Sequence, residues 1–513
     1  MNTMPTSRPR LLILIVAYNA EKNIGAVLAR VPHRLAEEYD VEVLVLDDSS
    51  QDETFEKSTE AARDGTIPFA LHVLYNPVNQ GYGGNQKLGY HFAIERGFEF
   101  VALIHGDGQY APECLPELVR PLRDGEADAV FGSRMLEKAA ALGGGMPLYK
   151  YFGNKVLTRF QNRILGTSLS EFHSGYRIYS VAALQKIPFA LNTNDFHFDT
   201  EIIIQLLLAG MRIKELPIPT YYGDEICHVN GLKYAAAVTK SVLLARCQRL
   251  GLFYDRRFDC EPAVSDHPQY QPKLNFLSPH TAALDEIPDR ARVLDLGCAG
   301  GYVGTALRRQ RGCRVTGVDK FPLGPGMELD EFIRHDLNSG FPAVDLRQYD
   351  YVLLLDVIEH LSSPEALVDE LRAALKLSPS TKVLVSTANI GFFLNRLGLV
   401  LGQFNYGKRG ILDLTHARLF TFASFRRLFE QAGFRVRQMR GIPGPFPLVF
   451  GDGALGRAMI AINNALIRVA RGLFSYQMFF VIEPLPSLEY LLQEAHNRSA
   501  LGGEAEGRRV AAR

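Results

Sequence analysis

No two of the six cysteines, at 114, 227, 247, 260, 298 and 313, form a C-x-x-C pair. That scatter fits neither a disulfide framework nor a zinc site and reads as reduced cytosolic thiols. Charge of one sign is also missing. Lys and Arg number 56, Asp and Glu number 56, and the net charge at pH 7 is zero. A general nucleic-acid binder carries a basic excess, so no nucleic-acid partner is expected. No hydrophobic run approaches the roughly 18 residues of a spanning helix. The longest candidates, near 391–404 and 458–482, are broken by Arg396, Asn463, Asn464, Arg468 and Arg471. The run Leu11–Ala17 is short for a secretory signal and lacks the cleavage pattern. A cytoplasmic chain is expected, with peripheral contact at the inner face of a membrane left open. Tryptophan is absent too, which excludes nothing.

What is present suffices for more than one core. The chain has 513 residues, 47% apolar and 22% charged, so it is neither disordered nor fibrous. Short β-rich runs alternate with helical patterns, which predicts parallel sheets with crossover helices. In a first unit the runs are Leu11–Val16, Val41–Leu46, Phe69–Tyr75, Phe100–Ile104 and Ala129–Phe131. The pattern turns more helical and irregular through 147–250. A second alternation starts at Arg292–Leu296, continues through Arg314–Val318, Tyr351–Leu355 and Lys382–Ser386, and ends with Phe434–Met439 and Met478–Ile482. The expected organisation is a domain over 8–252, a linker over 253–280, a second domain over 281–488 and a flexible tail over 489–513. No repeat of fixed period is visible.

Three strand ends of the first unit carry polar clusters: Ala17-Tyr18-Asn19-Ala20-Glu21, Asp47-Asp48-Ser49-Ser50-Gln51-Asp52 and His105-Gly106-Asp107-Gly108-Gln109. Ligands of open parallel sheets sit outside the carboxyl ends of the strands, so the three clusters point into one crevice. A carboxylate after the second strand can accept from a ribose or base. Asp107 and Gln109, two apart on a glycine turn, can hold a divalent cation through oxygen. Such an ion neutralises a diphosphate leaving group.

These residues resemble the family-2 glycosyltransferases of GT-A fold, and among them the dolichyl-phosphate mannosyltransferase-like group. Gly132-Ser133-Arg134 and Ser174-Gly175-Tyr176-Arg177 extend the likeness over about residues 10–240. The usual Pro and Glu of the first motif are Val16 and Ala20, and the first Asp of the metal motif is His105. The resemblance implies a nucleotide sugar, UDP- or GDP-linked, held by Ala17, Tyr18, Asn19, Glu21, Asp48, Gly83, Lys87, Asp107 and Arg134. It implies Mg2+ or Mn2+ on Asp107 and Gln109, with inverting transfer to a polyprenyl phosphate or a glycan in cell-envelope polysaccharide synthesis. Gly83 and Lys87 lie in a glycine-rich turn opening a helix, which suits phosphate. Arg177 is a candidate phosphate ligand through its planar fork. Asp199 and Glu201 open an apolar helix, either as caps or with one as the base that activates a hydroxyl acceptor. A phosphate acceptor is already ionised and needs no such base. The segment Tyr149–Arg163 reads first as an amphipathic core helix and second as a lipid-docking one. The helix Leu232–Leu250, apolar on much of its surface with Lys233, Lys240, Arg246 and Arg249, is expected either to pack on the second domain or to rest on a membrane.

In the second unit the strand at Val293 runs into Asp295-Leu296-Gly297-Cys298-Ala299-Gly300-Gly301, a helix follows, and the next strand ends at Asp319. A glycine-rich turn followed by an acid about 20 residues on is an adenosine-binding arrangement. The residues resemble class I S-adenosylmethionine-dependent methyltransferases, a Rossmann-like fold, over about 275–485, with Ala299 in place of the middle glycine. The likeness implies S-adenosylmethionine held by Asp295, Gly297, Gly301, Asp319, Asp336 and Asp356. Asp356 lies in Tyr349–His360, and His360 or His416 are candidate bases. The whole reads as α/β with two tandem domains, a bifunctional transferase. The competing readings are a glycosyltransferase with a regulatory or scaffold methyltransferase-like module, and a sugar nucleotidyltransferase. The latter usually carries Arg and Lys in a glycine-rich loop after strand one, unlike Ala17–Glu21.

Overall fold

The computed structural model describes residues 8–65, 67–136, 145–219, 230–249, 254–260, 274–447 and 453–492. They form two compact units, one on 8–249 with 254–260 and one on 274–492. Each has its own sheet.

The first sheet contains β1 (Arg10–Ala17), β2 (Asp40–Asp47), β3 (Ala70–Tyr75), β4 (Phe100–His105), β5 (Ala129–Ser133), β6 (Arg177–Ser180) and β7 (Ile213–Pro217). Their spatial order is β3-β2-β1-β4-β6-β5-β7. All run parallel except β6, which is antiparallel to both neighbours. Helices cover both faces of β1, so Leu11–Ile15 are buried without alternation. The strand order reverses between β1 and β4, and the loops after β1, β2 and β4 open at one edge. The three polar clusters sit there. Strands β6 and β7 are additions to the sequence pattern. β6 has four residues and starts on an arginine, and β7 is a half-exposed edge, so neither shows a clear apolar period.

The second sheet contains β8 (Arg292–Leu296), β9 (Arg314–Asp319), β10 (Glu331–Arg334), β11 (Tyr351–Leu355), β12 (Lys382–Ala388), β13 (Phe434–Ile442) and β14 (Gln477–Pro484). The order is β10-β9-β8-β11-β12-β14-β13, with β14 antiparallel to β12 and β13. Its core packs Phe425, Phe429, Phe434 and Phe480 on one face and Ala283, Val303, Leu307 and Phe479 on the other.

The described ends of the expected linker are built into the units. Phe258 and Cys260 are buried, and Arg257 pairs with the fully buried Glu201. Gln205 Nε2 donates to the Arg257 carbonyl at 2.7 Å. At the other end, Ser278 and Thr281 form a capping box that starts the helix Pro279–Glu286. Residues 261–273, Cys227 and the tail beyond 492 lie outside the described residues. Cys114, Cys247, Cys298 and Cys313 are free thiols.

Candidate active sites of the two units

The loop after β1 is stitched to the loop after β2. The amide of Asn19 donates to Ser50 Oγ at 2.9 Å, and that of Ala20 to Thr54 Oγ1 at 2.7 Å. The amide of Glu21 donates to Asp52 at 3.1 Å, while Asn19 Oδ1 accepts from the Gln51 amide at 2.9 Å. Asn19 takes a positive φ of 51°, which Asn tolerates. Ala17 is buried at the strand end, and Tyr18 stands half exposed beside it.

Asp48 is 4% exposed and turned inward. Its oxygens accept from Asn76 Nδ2 at 2.8 Å and from the amides of Gln80 and Gly81 at 2.7 and 2.9 Å. It therefore shapes the glycine-rich turn. Gly83 and Lys87 face protein as well. A Cβ on Gly83 would stand 2.5 Å from the Thr193 carbonyl oxygen. Lys87 donates to Asn194 Oδ1 at 2.8 Å and to the Asn192 carbonyl.

Arg134 is bound to the buried Glu171 and donates to the His173 carbonyl at 3.1 Å. Burial opposes ionisation of Glu171, but the Arg134 charge wins and lowers its pKa. Arg177 is 1% exposed and Asp199 5%. Arg177 Nε lies 3.6 Å from Asp199, and Nη2 donates to the Phe172 carbonyl at 2.7 Å. Nε and Nη1 have no hydrogen-bond partner. Asp199 also accepts from Tyr82 Oη at 2.8 Å. That hydroxyl lies 3.4 Å from His105 Nε2. Glu201 is tied to Ser241, Arg257 and the Thr193 amide.

Asp107 is half-buried beside this chain of contacts. Its Oδ1 accepts the Gln109 amide at 3.0 Å, and its carbonyl accepts from Asn23 Nδ2 at 2.8 Å. Burial holds the His105 imidazole below its usual pKa. A Cβ on Gly175 would stand 2.5 Å from His105 Cε1, so that glycine admits the ring. Tyr82, Asn23 and Glu171 went unselected from sequence. Tyr82 stands beside Gly83 in the glycine-rich turn, and Glu171 just before the Ser-Gly-Tyr-Arg run.

In the second unit Asp319 closes the turn. It accepts the amides of Ala299 at 2.7 Å and Phe321 at 2.9 Å. Ala299 adopts a positive φ of 48°, where the family pattern has glycine. Gly297 and Gly301 have φ of 76° and 80°, and a Cβ on either would press into Val357 or Leu323 at 2.5 and 2.7 Å. Asp295 is buried with Oδ2 unpartnered. Burial, and then the Asp319 charge, push its pKa up to about 7. Asp336 is exposed and caps the 3-10 turn Leu337–Ser339. Asp356 has φ 55° and accepts from Ser386 Oγ and Gln477 Nε2, both at 2.7 Å. Glu359, also unselected from sequence, is 2% exposed with Oε2 unpartnered. Burial pushes its pKa up to about 8. The rings of His360 and His416 meet edge to face at 4.8 Å. Burial lowers the His360 pKa.

Residues 12–188 match the family described as Glycosyl transferase family 2, and residues 267–439 one described as Methyltransferase domain. Undecaprenyl-phosphate mannosyltransferase of Micrococcus luteus is 30% identical over 214 residues, which cover 41% of this chain and 82% of that protein. The chain belongs to glycosyl transferase family 2. Polyprenol monophosphomannose synthase of Mycolicibacterium smegmatis is 28% identical, over 42% of this chain and 78% of its own length. The second unit is similar to ubiquinone biosynthesis O-methyltransferase of Aeromonas salmonicida, 29% identical over 31% of this chain and 71% of that protein. The chain is thus an enzyme with a glycosyltransferase unit followed by a methyltransferase unit.

In the glycosyltransferase unit the donor chemistry of Asp107 and Gln109 is oxygen, which fits Mg2+ or Mn2+. Among the described residues no group of three His, Cys, Asp or Glu converges on a metal position. In the methyltransferase unit the glycine turn and the nearly buried Asp319, whose oxygens keep lone pairs beyond the two amide bonds, fit a ribose diol.

Proposed function

We propose that the chain is bifunctional. Its first unit transfers a sugar, with inversion, from a UDP- or GDP-linked donor to a polyprenyl phosphate. Its second unit methylates the resulting glycolipid or glycan with S-adenosylmethionine. The observation that carries the choice of acceptor is the state of Asp199. A hydroxyl acceptor needs a general base, whereas a phosphate is already ionised. Asp199 is buried and engaged by Arg177 and Tyr82, so it is poorly placed to take a proton. We assign Asp199 and Arg177 a positioning role, holding Tyr82 and through it His105 against the Asp107 loop. The names of the Micrococcus and Mycolicibacterium relatives point to the same acceptor class.

Asp107 and Gln109 would hold the divalent ion. That ion, when bound, offsets charge on the departing diphosphate. Tyr18 and Asn19 line the crevice where the nucleoside would lie. Asp319 would bind the ribose of the methyl donor, and the His360–His416 pair faces the acceptor side. Peripheral membrane contact has support in the helix Leu148–Leu165. Leu148, Tyr149, Phe152 and Val156 are exposed on one face with Lys155 and Arg159, and the helix has no acidic residue. Among the described residues no helix is long and apolar enough to cross a membrane.

The test is a screen of UDP- and GDP-sugars with Mn2+ and polyprenyl phosphate, followed by S-adenosylmethionine and mass spectrometry of the lipid. A sugar-phosphate lipid that gains a methyl group is expected. Transfer only to hydroxyl acceptors would overturn the phosphate assignment. S-adenosylmethionine binding without turnover on any glycan would reduce the second unit to a regulatory module.

A further inference from the structure

The methyltransferase unit has an apolar surface of its own at the edge that holds the donor site. β8, β11 and β12 are parallel, so Ala388 at the end of β12 leaves the sheet on the same side as the turn after β8. The helix Phe393–Val400 that follows has no buried residue. Val400 is 82% exposed, and Leu397, Leu401 and Phe404 are exposed beside it. β14 is antiparallel to β12, with Gln477 opposite Ala388, so the connection from β13 to β14 lies at that edge too. Its helix Ala454–Val469 exposes Leu455, Ile462, Leu466 and Val469, spaced to share one helical face. Val469 is 83% exposed. The two inserts touch. Asn389 Nδ2 donates to the Ser475 carbonyl at 2.8 Å, and the rings of Phe393 and Phe474 lie 5.9 Å apart.

Charge selects the occupant. Residues 389–412 contain no Asp or Glu but carry Arg396, Lys408 and Arg409. Residues 453–476 contain none either and carry Arg457, Arg468 and Arg471. In a chain of zero net charge, such acid-free stretches are a local departure. A second protein copy would bring mixed charge to this face, whereas a bilayer with anionic headgroups offers apolar depth rimmed by negative charge.

We infer that the methyltransferase unit docks through these two helices on an anionic membrane surface and takes its methyl acceptor from the lipid phase. This rests on the reading of the unit as a methyltransferase for a lipid-linked glycan. His360 follows β11, and His416, ring to ring with it, is hydrogen-bonded at 2.9 Å to the carbonyl of Ile411 at the end of the first acid-free stretch, so a docked unit would present its acceptor side to the bilayer.

The test uses the full chain and vesicles of phosphatidylcholine, with or without phosphatidylglycerol. Wild-type protein should sediment with the anionic vesicles and far less with the neutral ones. The variant Val400→Glu/Leu401→Glu/Ile462→Glu/Val469→Glu alters exposed positions only. It should lose vesicle affinity by about tenfold or more. Its affinity for S-adenosylmethionine, measured by calorimetry, should stay that of wild type and so report an intact fold. Equal binding of variant and wild type would overturn the inference, as would indifference to phosphatidylglycerol. A wild-type dimer that the variant dissolves, with vesicle binding unchanged, would assign the face to a second copy. Docking without any S-adenosylmethionine binding would instead overturn the methyl-transfer reading and leave the surface standing.

Discussion

Asp107 and Asp319 differ in how much protein already claims them. Asp107 gives one oxygen to the Gln109 amide and remains half open. Asp107→Asn should nearly abolish sugar transfer while S-adenosylmethionine affinity stays unchanged, and transfer that survives a metal titration would sink the metal assignment. Asp319 has both oxygens on backbone amides but faces the glycine turn. Asp319→Ala should weaken S-adenosylmethionine by ~1.5–3 kcal/mol, about ten- to a hundredfold, read by calorimetry. Asp295 gives a pH prediction. Its folded pKa of about 7 lies above the unfolded value, so the stability it contributes is full at acid pH and is lost as pH rises toward 7. Glu359, at about 8, acts in the same sense. The unfolding midpoint of the methyltransferase unit should therefore fall between about pH 4 and 8. Asp295→Asn should flatten part of that slope in thermal melts across pH.

Among the elements, the helix Phe198–Leu208 shows why an acid near a helix start need not be catalytic. Glu201 is fully buried and shares its charge with Arg257, which arrives from the segment 254–260. Removing one partner of a buried pair strands the other charge. Arg257→Ala should cost the glycosyltransferase unit about 3 kcal/mol in denaturant unfolding, although it lies 56 residues from its partner. An effect near zero would mean that water or Ser241 suffices to hold Glu201. The same helix carries Asp199 against Arg177, so one apolar helix supplies two buried carboxylates for two separate ion pairs.

At the scale of the whole molecule, each unit has its own sheet and cores. Two unfolding transitions are expected in calorimetry. S-adenosylmethionine at about 100 times its Kd should raise only one of them, by ~2.7 kcal/mol in stability. A single cooperative transition shifted by either ligand would show that the units share one core.

The strand ends, their polar clusters and the two-unit order were legible in the sequence, because central parallel strands are continuous apolar runs and their loops carry the polar residues. The positions of Asp107, Gln109 and Asp319 at the carboxyl ends of strands were legible the same way. The partners of Asp48, Arg134, Arg177 and Asp199 were not. Their motifs fix residue type and spacing, but whether a carboxylate faces a ligand or a backbone amide depends on what packs against it from 22 to 117 residues away. The glycines make the same point: Gly83 and Gly297 are held to glycine by Thr193 and Val357, contacts that only the tertiary structure creates. The apolar helices at 393–400 and 454–469 completed the contrast. Their composition was visible as interrupted hydrophobic runs, but only the folded chain leaves those faces uncovered at the edge of the donor site.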